Sequence, residues 1–201
     1  MRPEAITIER ETEQTDLRLE AETPVRRLHW GCGGFPAHGW INSDVGDYPG
    51  VEIVCDIRDG LPIETDSLDY VVSIHALPEI AYEDLDTTLQ ELRRVMKPGG
   101  VLRLALPDFE KAIHAYVNGD RDYFLIPDEE WERIGSKLVV QMIWYGHSRT
   151  LFTFDFVEEM MVKNGFSNVR RCTMGQTQSR HPEIVTLDNR EKESMFVEGT
   201  K

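Results

Sequence analysis

The chain has 201 residues, 22 lysines and arginines against 36 aspartates and glutamates, a formal net charge of −14 and a 40% apolar content. One domain with a real core fits these values, and a disordered chain does not. So acidic a surface repels a phosphate backbone, which sets nucleic acid aside as a substrate and disfavours membranes. No apolar run approaches the ~20 residues of a spanning helix.

Residues 1–24 are rich in Glu and Thr, with only weak alternation at Ile6, Ile8, Leu17 and Leu19. They read as a leader, flexible or packed on a partner. The opening MRPEAITIERETEQ lacks the apolar core of a signal peptide, and the expectation is a cytoplasmic protein. Residues 25–201 read as the domain proper. Val25, Leu28 and Trp30 lie in a short strand ending in Gly31-Cys32-Gly33-Gly34, and Trp40-Ile41-Asn42 is a second strand ending at Asp44. A glycine turn lets backbone approach a bound nucleotide, since a Cβ would block the approach or a positive φ. An acid closing the next strand is placed to accept from a ribose diol. Asp44 follows Gly31 by thirteen positions. A nucleotide fold normally needs ~20, because a full helix intervenes. The first helix is therefore cut to a turn at most, and the pocket is either more open there or covered by another element.

Val51–Asp56 reads as a third strand. The nearly unbroken apolar run Tyr70–Ile74 reads as one buried on both faces. Leu85, Leu89, Leu92 and Met96 mark one face of a helix over Tyr82–Met96, stopped by Pro98-Gly99-Gly100. Val101–Leu106 is the next strand. Asp108 caps a helix through about Val117, and Asp128–Trp144 is a further helix with Trp131, Ile134, Leu138 and Met142 as its apolar face. Residues 108–150 exceed what a crossover needs and suit a helical cover over a substrate. Thr153–Asn164 is the last helix, ended by Gly165. Asn168–Met174 and Ser194–Gly199 are the final strands, and Gly175–Glu193 is a long polar loop between them. Alternating strands and helices predict an open, mostly parallel α/β sheet whose ligands bind beyond the C-terminal strand ends. Gly31, Asp44, Asp56 and Ser73–His75 all fall at such ends.

LHWGCGG, INSD, CDIRDGLPIETDSLDYVVSIHAL and LQELRRVMKPGGVLRLALPDF, in this order and spacing, resemble the class I S-adenosylmethionine (SAM)-dependent methyltransferases. The likeness is greatest to a small bacterial subgroup with a shortened first helix. It is detailed over residues 25–110, and the order of elements carries it to the C-terminus. The resemblance implies a Rossmann-like sheet of about seven strands with helices on both faces and an antiparallel C-terminal hairpin. It also implies SAM as cofactor, with S-adenosylhomocysteine as product. Gly31, Cys32 and Gly33 would line the methionine moiety, Asp44 would hold the ribose, and Asp56 with Ile57 would meet the adenine. Ser73 and His75 emerge where the methyl donor sits.

His75 reads either as a general base, its ordinary pKa of ~6.5 suiting that role, or as cofactor and loop packing. The subgroup's His–acid–His pattern is replaced here by His75-Ala76-Leu77-Pro78-Glu79, so its usual substrate contacts do not carry over. His147 is a second candidate, reaching in from the cover. His181, Glu183, Asp188 and Arg190 form a polar set in the late loop, read as surface or as a substrate or partner contact. Three widely spaced cysteines argue against disulfides and zinc, and the six histidines show no H-x-x-x-H spacing. The expectation is methyl transfer to a small-molecule or sugar-like acceptor, with a homodimer left open. The rivals are a binding or partner subunit without turnover and an NAD(P)-dependent oxidoreductase. The second is weakened by Pro36 at the sixth position of the dinucleotide fingerprint.

Overall fold

A computed structural model describes residues 24–201; the expected leader, Pro24 aside, lies outside them. In chain order the strands and longer helices are β1 (Arg27–Trp30), β2 (Ile41–Asp44), β3 (Ile53–Val54), β4 (Leu68–Ile74), α1 (Leu85–Val95), β5 (Met96–Pro107), α2 (Phe109–Asn118), α3 (Ile134–Ile143), α4 (Phe154–Lys163), β6 (Ser167–Cys172) and β7 (Ser194–Thr200). They form one seven-stranded sheet in the order β3-β2-β1-β4-β5-β7-β6. Its first five members are parallel, and β7 runs antiparallel to both β5 and β6. Chain order reverses at β1, with β2 on one side and β4 on the other. A crevice opens beyond the strand ends at such a reversal.

Successive side chains along a strand point to opposite faces, and the two faces of this sheet are covered differently. On one, Leu28, Val71, Leu102, Leu104 and Val197 pack with Leu85, Leu89 and Leu92 of α1 and Val157, Met160 and Met161 of α4. On the other, Tyr70, Val72 and Val101 pack with Trp40 and Ile184, and Ile74, Val185 and Leu187 close in around them. Ile184 and Val185 belong to a single 3-10 turn, Pro182–Val185, of the β6–β7 connection. The connection Gly31–Trp40 has no helix. The late loop thus covers the face that the shortened first crossover leaves bare. A third cluster, Ala112, Ala115, Tyr123, Phe124 and Met142, joins α2 to α3.

Several elements differ from their expected spans, among them β5, which starts at Met96 rather than Val101. The third strand is only Ile53–Val54, at the sheet edge, where Val54 is exposed. Tyr82–Asp84 is a 3-10 turn ahead of α1, and the helix ends at Val95, before the Pro-Gly-Gly sequence. Met96 already pairs with Leu68. A Cβ at Gly100 would lie 2.9 Å from Lys97 O and 3.0 Å from Asp69 O, so the glycine admits the close approach of β4 to β5. Helix α3 begins at Ile134, not Asp128. The carbonyl of Pro127 accepts from Glu130 and Trp131 N–H, which closes a separate turn, and Arg133 is extended. Trp131 is accordingly exposed rather than part of an apolar helix face.

Candidate active site

Asp56, Asp44, Gly31 and His75 follow one another along the carboxyl edge of the sheet, after β3, β2, β1 and β4. Gly31 has φ +69°, and its N–H and that of Cys32 donate to Ser43 O at 2.8 and 3.1 Å, which ties the turn to β2. A Cβ on Gly31 would fall 2.1 Å from Ala76 Cβ, so the bare Cα lets β1 and β4 converge. Gly33, at φ +52°, faces open space within 4 Å. Asp44 clasps both neighbouring turns. Its Oδ2 accepts from Gly33 N at 2.7 Å and its Oδ1 from Gly46 N at 2.8 Å. Each oxygen keeps a further lone pair. The Cys32 thiol is buried, and burial, followed by the charge of Asp44, pushes it up to about 11, so it is not a nucleophile at neutral pH.

Asp56 caps the short turn Ile57–Asp59, accepting from Arg58 N at 2.9 Å, and pairs with the Arg58 guanidinium at 2.5 Å. Those hydrogen bonds hold its carboxyl below the usual range. Ile57 is buried beside it. Ser73 is buried with no partner for its Oγ among the described residues. His75 adopts φ +59°, and its Nε2 lies 2.7 Å from Ser194 Oγ on β7. Burial, and behind it the charge of Arg190, lowers its pKa to about 3, so the ring is neutral at physiological pH.

A cavity of about 310 Å³ opens over these groups. Its floor is Gly31–Gly33, Asp44 and His75. Its far wall is Gln141, Met142 and Trp144 from the end of α3 and its following turn, with Arg190 and Glu193 from the late loop. A second cavity of about 170 Å³ shares Gly31, Asp44 and Glu79 and continues to Asp56, Ile57 and Arg58. The two make one cleft along the sheet edge, in the size range of small-molecule sites. Burial raises the Glu79 carboxyl above its ordinary pKa. His147 is exposed and outside the lining of both cavities, although its neighbour Ser148 belongs to the first. Sequence reasoning passed over Gln141, Trp144 and Glu193 as site residues. Their one sequence signal was membership of segments longer than a crossover needs. No group of three or more His, Cys, Asp or Glu among the described residues is arranged to hold a metal, and no described helix is long and apolar enough to cross a membrane.

Residues 38–104 match a family model described as a methyltransferase domain. No curated protein matches the chain. Among solved structures, a SAM-dependent methyltransferase of Thermotoga maritima superposes with a TM-score of 0.55 at 18% identity, over 89% of this chain and 83% of that one. One from Archaeoglobus fulgidus gives 0.54 at 13% identity, over 88% and 86%. A phosphoethanolamine N-methyltransferase of Haemonchus contortus, bound to phosphomonomethylethanolamine and S-adenosylhomocysteine, gives 0.50 at 17% identity, over 89% of this chain and 49% of that one. At such identities these structures speak for the fold.

Proposed function

We propose that the chain is a class I SAM-dependent methyltransferase, as the methyltransferase-domain match over residues 38–104 supports, and that it methylates a small-molecule acceptor held under the α3 and late-loop wall. One observation carries the reading: Gly31, Gly33, Asp44 and Asp56, on three different connections, line a single cleft at the reversal of strand order. The wall of Gln141, Met142 and Trp144 with Arg190 and Glu193 over the cleft supports a small acceptor, and the net charge of −14 disfavours nucleic acid.

The cleft suits the cofactor on its own chemistry. The space in front of Gly33 is what a Cβ would fill. Asp44, Glu79 and Glu193 line the same cavity and match a ligand bearing a sulfonium and an ammonium. The glycine turn would take the methionine moiety. The spare lone pairs of Asp44 would take the ribose hydroxyls, and the Ile57 segment would take the adenine edge, the Asp56 carboxylate being engaged by Arg58. When bound, SAM supplies a methyl group already electrophilic on its sulfonium sulfur.

The protein's own task is then alignment and exclusion of water, worth up to about 7–11 kcal/mol when a nucleophile is held in line. His75, neutral and tied to Ser194 Oγ, can hydrogen-bond the acceptor. With so low a pKa it takes a proton only weakly, which favours an acceptor that arrives deprotonated. Glu79, its pKa raised, is the stronger proton acceptor within reach of the cavity. Calorimetry with S-adenosylhomocysteine tests the reading. Micromolar binding that disappears in Asp44→Ala is the expected result, and no binding to the native chain sinks it.

A further inference from the structure

The cavity over the glycine turn has an unbalanced lining: Asp44, Glu79 and Glu193 are acids, and among the described residues Arg190 is its one cation. The cofactor assigned to this cleft has two cationic groups, which the acids suit, and one carboxylate, which they repel. We propose that Arg190, delivered by the loop between β6 and β7, binds the carboxylate of the cofactor's amino-acid end. The proposal rests on the SAM reading above and adds to it a residue far from every motif that supported that reading.

Placement supports the assignment. Arg190 lines the cavity of about 310 Å³ over the glycine turn and also a neighbouring one of about 530 Å³, where it stands with Gly31, Cys32 and His29. The two cavities meet at the glycine turn, so the guanidinium borders the place where the methionine moiety is assigned. Its charge is felt at His75. Its guanidinium carbon lies 6.0 Å from the Trp144 ring centroid, which offers a flat support, and it forms no ion pair with any described carboxylate. A guanidinium with free donors is the side chain best shaped for a carboxylate.

The loop is built to hold Arg190 there. The fully buried Arg103 grips Asp188, two positions earlier, through Nε at 2.7 Å and Nη2 at 2.5 Å. Gly175 N also donates to Asp188, at 2.8 Å. On the other side Ser194 N donates to Arg190 O at 3.1 Å. Between these anchors Arg190 takes φ +57°, a left-handed backbone uncommon for arginine. Such conformations persist where surrounding structure enforces them, often beside a ligand. His29, buried in the wall of the second cavity with its Nδ1 unpartnered among the described residues, is a further polar group on that side.

The test compares two ligands by calorimetry: S-adenosylhomocysteine, and 5′-methylthioadenosine, which keeps the nucleoside thioether and lacks the amino-acid end. Arg190→Gln is expected to weaken S-adenosylhomocysteine about tenfold or more while leaving methylthioadenosine within about twofold, with Arg190→Lys in between. An equal loss for both ligands would make Arg190 a prop of the loop and overturn the proposal, and so would unchanged S-adenosylhomocysteine binding. Failure of the native chain to bind either ligand overturns the SAM reading itself, a result distinct from any effect of the variants.

Discussion

At Gly31 a side chain has nowhere to go. The Cβ would overlap Ala76, and the φ of +69° strains most L residues. Gly31→Ala should therefore cost more in urea unfolding than left-handed backbone strain alone and abolish S-adenosylhomocysteine binding, whereas Gly33→Ala, with open space around it, should cost only that strain, about 1–2 kcal/mol, and lose binding as well. His75 gives a pH signature. In the unfolded chain it takes a proton as pH drops below 6.5, while in the fold it stays neutral to about 3. Its contribution is thus complete above pH 6.5 and is lost as pH falls toward 3, because the unfolded state binds more protons in that window. His29, lowered to about 4 by burial, acts in the same direction. Urea midpoints for the native chain should fall between about pH 7 and about pH 5, and fall less for His75→Asn, whose side chain tolerates the left-handed backbone. Equal slopes would contradict the neutral ring.

Among the elements, the late loop does most to complete the site. Arg103 on β5 faces Glu198 on β7 directly across the ladder and bonds it at 2.7 Å, and the same guanidinium holds Asp188. All three are almost wholly buried. Removing the cation leaves two carboxylates buried without it, so Arg103→Leu should destabilise by about 3–5 kcal/mol and expose residues 173–193 to proteolysis before global unfolding. A loop that stays protected would mean that Ile184 and Leu187 alone hold it. The strands, α1 and the glycine turn were legible because each is a local pattern: apolar runs, 3.6-residue spacing, glycines before an acid. The start of α3 was not, since the turn closed by Pro127 O and the extended Arg133 override an apolar spacing that ran back to Trp131. The purpose of the 175–193 loop was not either, because a polar composition suggests surface while its few apolar residues meet Tyr70 and Val72, distant in sequence.

For the whole molecule, net charge is the property read with least ambiguity. At −14 the chain repels itself at low ionic strength, so Tm should rise as salt is raised toward physiological levels, screening exposed acids while leaving the buried Arg103 network little affected. A flat or falling Tm would show that exposed ion pairs outweigh the repulsion. While the antiparallel C-terminal hairpin came from the family resemblance, composition, periodicity and the spacing of glycines and acids determined by themselves the class of fold, the mostly parallel sheet, and the edge of the sheet where a ligand belongs. These follow from backbone sterics and from which faces must leave water, and both are written locally. Only the tertiary structure decided what covers the face left bare by the short first crossover, how Asp44 spends its oxygens on two turns, that His75 is half-buried and neutral, and that Arg190 and Glu193 join the cavity. Each of these depends on groups brought together from far along the chain, where burial and charge are set by neighbours that no local pattern names.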